Sequence, residues 1–358
     1  MALPLVSVPY LIDVIGSAHY GAYSISYTLL QYVLLIGAFG FSTITTKKIA
    51  ENKDDCNKIS KIFYSTIVAR ILLTIIACIF ILFIVLSLFP QYLTLYILGL
   101  GVVFGDILNP VWLFQGMQDM KYMTIVNAIS KIIFTLLIFL IINDESDYIY
   151  ITLLNSAGFI VSGLISYFLA IKKFNIQHIK ISIYDIKEQV KDASIFFLSS
   201  AFVNLYNNSF VFILGLFLNE ASVGVYAAVE KIIKAAKSMI EPVTTALFPH
   251  VAKTFSGNLI SNNVKIIFKY SKVLLILLSI LTIIIFVLSK LLCKWFLGTI
   301  AIESSILIRI MSPLIIIGGL NYMLGVVGLV NLGLQKQWFK ILLISSVISI
   351  IVLLVSLT

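Results

Sequence analysis

The stretch 222–249 is apolar except for five charges near its middle: Glu230, Lys231, Lys234, Lys237 and Glu241. On a helix, at about 100° per residue, Glu230, Lys234, Lys237 and Glu241 fall within about 60° of one face, and Lys231 sits at its edge. Ammonium groups so placed can receive an anion, such as a phosphate or a carboxylate, without making or breaking a bond. Glu230–Lys234 and Lys237–Glu241 are spaced i,i+4, which lowers the cost of carrying them. Lys231 has no acid at that spacing. Three readings stay open: a helix lying flat on a membrane surface, lysines tied to acids on other helices, or the cationic wall of a wet cavity that accepts an anionic substrate.

Other polar groups sit in equally oily surroundings. Asn204, Asn207 and Asn208 share one side of the stretch 193–218 with Ser200. Amides there either link helices or offer donors and acceptors to sugar hydroxyls. Arg70, Lys131 and Arg309 are isolated cations, and Arg309 joins the candidate cavity residues. Asp106, close to Asn109, is a candidate carrier of a coupling proton or Na⁺, as is Glu241; Asp106 could equally bond a neighbouring helix. Prolines and glycines (Pro110, Pro242, Pro249, Pro313, Gly318, Gly319) mark bends that a rocking transporter would use, although both residues are common in membrane helices. No HExxH, GxSxG, P-loop or CxxC pattern occurs, so neither a catalytic residue nor a metal or other cofactor is expected.

The elements that must carry these groups are membrane helices. Of 358 residues, 60% are hydrophobic and only 11% charged, against about 25% charged in soluble domains. Eleven apolar segments are legible, roughly 1–15, 21–41, 63–89, 92–114, 121–142, 148–171, 193–218, 222–249, 266–292, 304–330 and 338–358. Most are long enough to cross a core of about 30 Å. The first is too short to span and the last stops at Thr358 without a closing loop, so a truncated first helix and a missing twelfth are expected.

The net charge of +9 is not a nucleic-acid signature here. Every second connection is rich in lysine: Lys47 to Lys61, Lys121, Lys172 to Lys191, Lys253 to Lys272, Lys336 and Lys340. The intervening connections hold only Lys290 and Lys294, with Asp144, Glu145, Asp147, Glu220 and Glu303. That asymmetry places the lysine-rich loops in the cytoplasm. The outer loops are short, which disfavours a membrane polymerase or ligase acting on lipid-linked sugars. Cys56, Cys78 and Cys293 form no plausible disulfide framework.

The longest cytoplasmic connection, 172–192, divides the chain into halves 1–171 and 193–358; within it "YDIKEQVKDA" reads as a short amphipathic surface helix or a solvated linker. The halves show a weak internal repeat. An offset of 203 aligns Ala18 with Ala221, Gly21 with Gly224 and Tyr23 with Tyr226; an offset of 217 aligns Gly116 with Gly333 and Gln118 with Gln335. Gly21, Tyr23, Gly116, Gly224, Tyr226 and Pro242 are therefore candidate turn or conformational positions. Parallel halves related about the membrane normal are a transporter device.

Several stretches together resemble Wzx-type O-antigen flippases, of the polysaccharide transporter branch of the multidrug/oligosaccharidyl-lipid/polysaccharide exporter superfamily. They are "LPLVSVPYLIDVIGSAHYGAYS" (3–24), "NPVWLFQGMQDMKYMTI" (109–125), "NLYNNSFVFILGLFLNEASVGVYAAVEKI" (204–232) and "ALFPHVAK" (246–253). The resemblance implies an all-α integral membrane fold of twelve helices in two six-helix bundles with pseudo-two-fold symmetry, about eleven being present here. It implies a central V-shaped cavity in which Lys231 and Lys234, and less regularly Lys237, are basic positions. It implies transfer of undecaprenyl-pyrophosphate-linked oligosaccharide units to the outer leaflet of the bacterial inner membrane, driven by no cofactor other than a proton or sodium gradient, alongside a polysaccharide polymerase and a chain-length regulator. A cation-coupled drug or metabolite exporter of the same fold is the alternative; acids rather than lysines should dominate its cavity.

Overall fold

A computed structural model describes residues 2–239, 260–297, 301–330 and 332–357; they form helices joined by turns and connections, with no strand among them. Eight helical stretches among these residues are long and apolar enough to cross a membrane. Their outward faces are apolar: Phe83 is 69% exposed and Leu140 71%. Water would not tolerate so much exposed hydrocarbon, whereas lipid tails do.

The first helix, α1 (Ala2–Ala38), joins the first two apolar segments. The break between them is a single residue, Gly16, at φ 74° and ψ 166°, where an outer loop over 16–20 would have been expected. A straight helix of 37 residues would run about 55 Å; the break divides it into a piece of about 21 Å before Gly16 and one of about 33 Å after it. Next come α2 (Phe41–Glu51), α3 (Cys56–Leu88), α4 (Leu93–Ile107), the short α5 (Val111–Gly116), α6 (Lys121–Ile141) and α7 (Tyr148–Lys173). Then follow α8 (Ile183–Phe217), α9 (Glu220–Ser238), α10 (Ile260–Val287), α11 (Ser289–Leu297), α12 (Ala301–Met311) and α13 (Leu314–Asn321). A π-helical run covers Tyr322–Val330, and α14 (Gln335–Leu357) closes the chain.

The chain forms two compact units. One holds residues 1–21 and 220–352; the other holds 22–219 and 353–358. Within the second unit the tightest seam lies between α4 and α7 and is lined by small residues. A Cβ on Gly105 would stand 2.6 Å from the Ile160 nitrogen, and one on Gly163 would stand 3.0 Å from the Gly105 Cα. Ser156 Oγ donates to the Leu98 carbonyl at 2.6 Å across the same seam. Among lipids, where helices gain little from the hydrophobic effect, such backbone-to-backbone approach and interhelical bonds supply the attraction.

The lysine-rich end of this unit has a core of its own: Ile49, Phe63, Trp112, Leu113, Phe114 and Met123 are buried together, with Ile176 from the connection after α7. The amphipathic stretch 184–193 is the start of the 35-residue α8. Its apolar face turns inward: Ile186, Val190 and Ala193 pack with Phe41 and Ala69. Ser182 and Asp185 form a capping box that starts the helix. Ion pairs fasten it: Lys61 to Asp185 at 2.8 Å and Lys48 to Asp192 at 2.6 Å. Lys48 also donates to Gln189, and the Gln177 backbone N–H donates to Ser60.

The Lys61 ammonium, then the Ser182 backbone N–H, hold the Asp185 carboxyl below its ordinary value of 3.8. A depressed carboxyl contributes stability above its unfolded value and loses it as pH falls through the folded one. The clasp should therefore stay shut from pH 7 to pH 5, and the hydrogen-exchange protection of amides over 174–193, taken relative to their intrinsic exchange rates at each pH, should not change across that range. Asp185→Asn should lower that protection at both pH values, and only modestly, given the exposed lysine. Unchanged exchange in the variant would mean that the apolar face alone holds the segment.

Candidate functional site

The charges on α9 lie in the first unit, where α9 packs on α12 and α13. The helix is uninterrupted from Glu220 to Ser238, and its buried face is Val223, Gly224, Ala227, Ala228, Ile232 and Ala236. The lysines occupy what that face leaves over. Lys234 and Glu230 pair at 3.0 Å as the i,i+4 spacing suggested, with the Lys234 side chain about half exposed. Lys231 lies over the ring of Tyr20, 5.0 Å from its centroid. Tyr20 is fully buried, so its ring offers this cation a desolvated aromatic face. The stem of Lys237 lies against Gly318 on α13: a Cβ there would meet its Cε at 3.0 Å and its Nζ at 3.2 Å. No ion pair joins Lys237 to a carboxylate among the described residues. Glu241 and Pro242 lie outside those residues.

The lysines of α9 thus serve three neighbourhoods, and the sequence showed only one of them. Spacing along a helix reveals Glu230–Lys234. It cannot reveal Tyr20, more than 200 residues away, or the space left by Gly318. One signal was available for Tyr20. The offset of 203 puts Val223 opposite Tyr20, and Thr28 opposite Lys231. The half with the aromatic ring lacks the cation, and the half with the cation lacks the ring. Thr28 instead turns its hydroxyl back to the Ser24 carbonyl at 2.9 Å.

That offset marks a reciprocal contact. A Cβ on Gly21 would collide with the carbonyl of Glu220, 2.8 Å from its carbon, and stand 3.0 Å from the Gly224 nitrogen. A Cβ on Gly224 would collide with the carbonyl of Ser17, 2.9 Å from its carbon, and stand 3.0 Å from the Gly21 nitrogen. Ser17 and Glu220 are themselves separated by 203. Gly21 and Gly224 are helical, so they serve close approach and not turning. The offset of 217 has no such counterpart. Gly116 ends α5 in helical form, and a Cβ there would strike Ile49 and the Thr46 carbonyl; the positive φ belongs to Gln118 at 59° and to Gly333 at 77°. Gly116 is accordingly a packing residue, and the turn is made two residues later.

Asp106 lies in the other unit and is not a lone acid. Its Oδ2 meets Arg70 Nη2 at 2.5 Å, and Arg70 Nη1 donates to the backbone carbonyls of Asp106 and Ile107. Arg70 is 5% exposed and also reaches the Gly37 carbonyl at 3.5 Å. One guanidinium therefore joins α1, α3 and α4. Tyr23, in the same unit, stacks with Tyr27 and accepts a long bond from Asn155. Tyr226, its match at the offset of 203, is half-buried on α9.

The remaining candidates are dispersed. Asn204 is exposed on α8 and Asn208 is half-buried one turn later, with Asn207 between them on the same helix. Arg309, on α12, donates from Nε to Ser289 Oγ at 2.8 Å and stacks over Phe286 at 5.4 Å. It ties α12 to the α10–α11 corner, which is a helix-linking arrangement.

A sequence profile described as "Polysaccharide biosynthesis protein" matches residues 1–255, a stretch that includes α9 and Asp106. A protein of Escherichia coli (strain K12) named "Putative O-antigen transporter" is 27% identical over 357 residues, covering 98% of this chain and 85% of that protein. A protein of Shigella dysenteriae with the same name is 25% identical over 256 residues, 70% of this chain and 63% of that one. No solved structure gives a significant match.

Proposed function

The chain belongs to the polysaccharide biosynthesis protein family, and from that premise we propose that it is a flippase for lipid-linked saccharides. Its substrate on this reading is an undecaprenyl-pyrophosphate-linked oligosaccharide, moved from the cytoplasmic to the outer leaflet of the bacterial inner membrane by alternating access. On this reading α9 crosses the membrane like the other long apolar segments, with the lysine-rich loops in the cytoplasm. The observation that carries it is the charge on α9: three lysines within seven residues, on a helix that lies inside the family match. A pyrophosphate needs cations where water reaches, and no bond has to be broken to move it.

Lys231, Lys234 and Lys237 receive the anion, and Glu230 positions Lys234. Asn204, Asn207 and Asn208 meet sugar hydroxyls. Arg309 has a supporting part, since one of its donors is committed to Ser289. Any ion coupling runs through Asp106 as half of an ion pair with Arg70, or through Glu241.

In a strain lacking its own flippase, lipid-linked repeat units should accumulate on the inner leaflet, and expression of this chain should clear them. Lys231→Ala with Lys234→Ala should abolish that rescue at unchanged membrane abundance. Full rescue by the double variant at native expression would refute the cavity assignment. Failure of the unaltered chain across several glycan backgrounds would refute the flippase reading.

A further inference from the structure

A further charge in apolar surroundings lies on α6, and the function above leaves it unused. Lys131 is the eleventh of 21 residues in that helix, so it sits about 15 Å from either end. It is exposed and has neither ion pair nor hydrogen bond among the described residues. At mid-membrane a lone ammonium facing lipid is expensive, and such residues mark substrate or ion paths.

Its neighbours are consistent in chemistry. Thr124, Asn127, Lys131 and Thr135 lie within about 80° on one side of the helix. The Asn127 side chain is held by its oxygen: Ser162 Oγ donates to Oδ1 at 2.7 Å and Asn109 Nδ2 at 3.4 Å. Its Nδ2 has no acceptor among the described residues. The end of the amide that could bind a cation is thus occupied, and the end that donates is available one turn from the Lys131 ammonium. Lys121, also exposed, stands at the lysine-rich end of the same helix. The acid nearest in sequence, Asp119, is taken up by Lys173. Beyond Thr135 the helix is purely apolar, Leu136 to Ile141. The Thr124 hydroxyl donates back to the Met120 carbonyl, so the stripe is one of polar side chains that runs from the lysine-rich end to the middle of the helix, with the Asn127 amide and the Lys131 ammonium as its donors, and stops.

We propose that this stripe is a headgroup track. Along it, the diphosphate of a polyprenyl-linked substrate is drawn from the inner leaflet to mid-membrane while its hydrocarbon stays in lipid. The assignment rests on the flippase reading for its ligand, and on the Lys131–Asn127–Ser162 geometry for its place.

The test uses the full chain in lipid vesicles, with Cys56, Cys78 and Cys293, the three native cysteines, replaced by serine. Single cysteines are placed at 127 and 131, and at 136 and 140 as apolar controls. A charged thiol reagent should label 127 and 131 and spare 136 and 140. A polyprenyl diphosphate should protect 131, whereas phosphatidylglycerol or soluble diphosphate should not. Lys131→Gln should weaken polyprenyl diphosphate binding about tenfold, the loss of one charge-assisted contact, and Lys131→Arg should retain it.

Labelling at 131 no faster than at 136 would overturn the proposal. So would equal protection by phosphatidylglycerol, which would make it an ordinary lipid contact, or by soluble diphosphate. The two readings fail separately. If the Lys231/Lys234 double variant loses rescue while position 131 stays unlabelled, only the track falls. If 131 is labelled and protected but the unaltered chain never rescues, only the flippase reading falls.

Discussion

Gly224→Ala and Gly21→Ala should each destabilise the first unit by about 3 kcal/mol, the upper end for a forced overpacking, and by nearly the same amount. Each new methyl would enter the other helix's backbone, and a carbonyl cannot swing aside as a side chain can. The two backbones must part to admit either one. Once parted for the first methyl, they already hold room for the second. The double variant should therefore cost little more than a single, a large departure from additivity. Thermal unfolding in detergent, with matched measurements in lipid, would show it. Two unequal singles whose effects add would mean that the crossing is not reciprocal. Valine at either site should leave no folded unit 1.

Arg70→Met should be the most damaging single change in the other unit, at about 3–5 kcal/mol, as for removing one partner of a buried ion pair. It leaves the Asp106 carboxylate without its guanidinium and also strands backbone carbonyls of α1 and α4. Lysine should not substitute, since its single ammonium cannot span a carboxylate and several carbonyls. Adding Asp106→Leu to Arg70→Met should restore only part of the loss, because the carbonyls remain. Asp106→Asn leaves the guanidinium its carbonyls and an amide oxygen to donate to, so it should cost less than Arg70→Met. If it nevertheless removes transport, Asp106 has a role beyond the pair. If Arg70→Met folds like the parent, the guanidinium is not the tie it looks to be.

These outcomes also show which features a sequence can disclose. The helical class follows from hydropathy, because a membrane core forces helices on any apolar chain of this length. Glu230–Lys234 follows from helix geometry alone. Gly21 and Gly224 could be picked out because the same crossing had to be written twice, once in each half. Arg70 and Asp106 were each visible as charges in oil, but their partnership is a tertiary fact, decided by which helices adjoin. The same holds for Lys231 and Tyr20. The start of α8 was misleading for another reason. A change from polar to apolar at residue 193 looks like a boundary, yet a helix continues through it wherever its polar part has a protein surface to lie on. The offset of 217 misled because a turn is set by backbone conformation, and Gln118 takes the positive φ that Gly116 seemed to offer.

The make-up of unit 1 has a consequence for how the chain is made. Residues 1–21 leave the ribosome about 200 residues ahead of Glu220 and Gly224, against which they close. At about 5–20 residues per second the start of α1 waits roughly 10–40 s for its partner. All but the last six residues of unit 2 are synthesised in that interval. The order of manufacture is thus fixed: the inserted unit can assemble while its host stands open. The Gly21 surface is the part of the nascent protein most in need of shelter by an insertase or by lipid until α9 arrives.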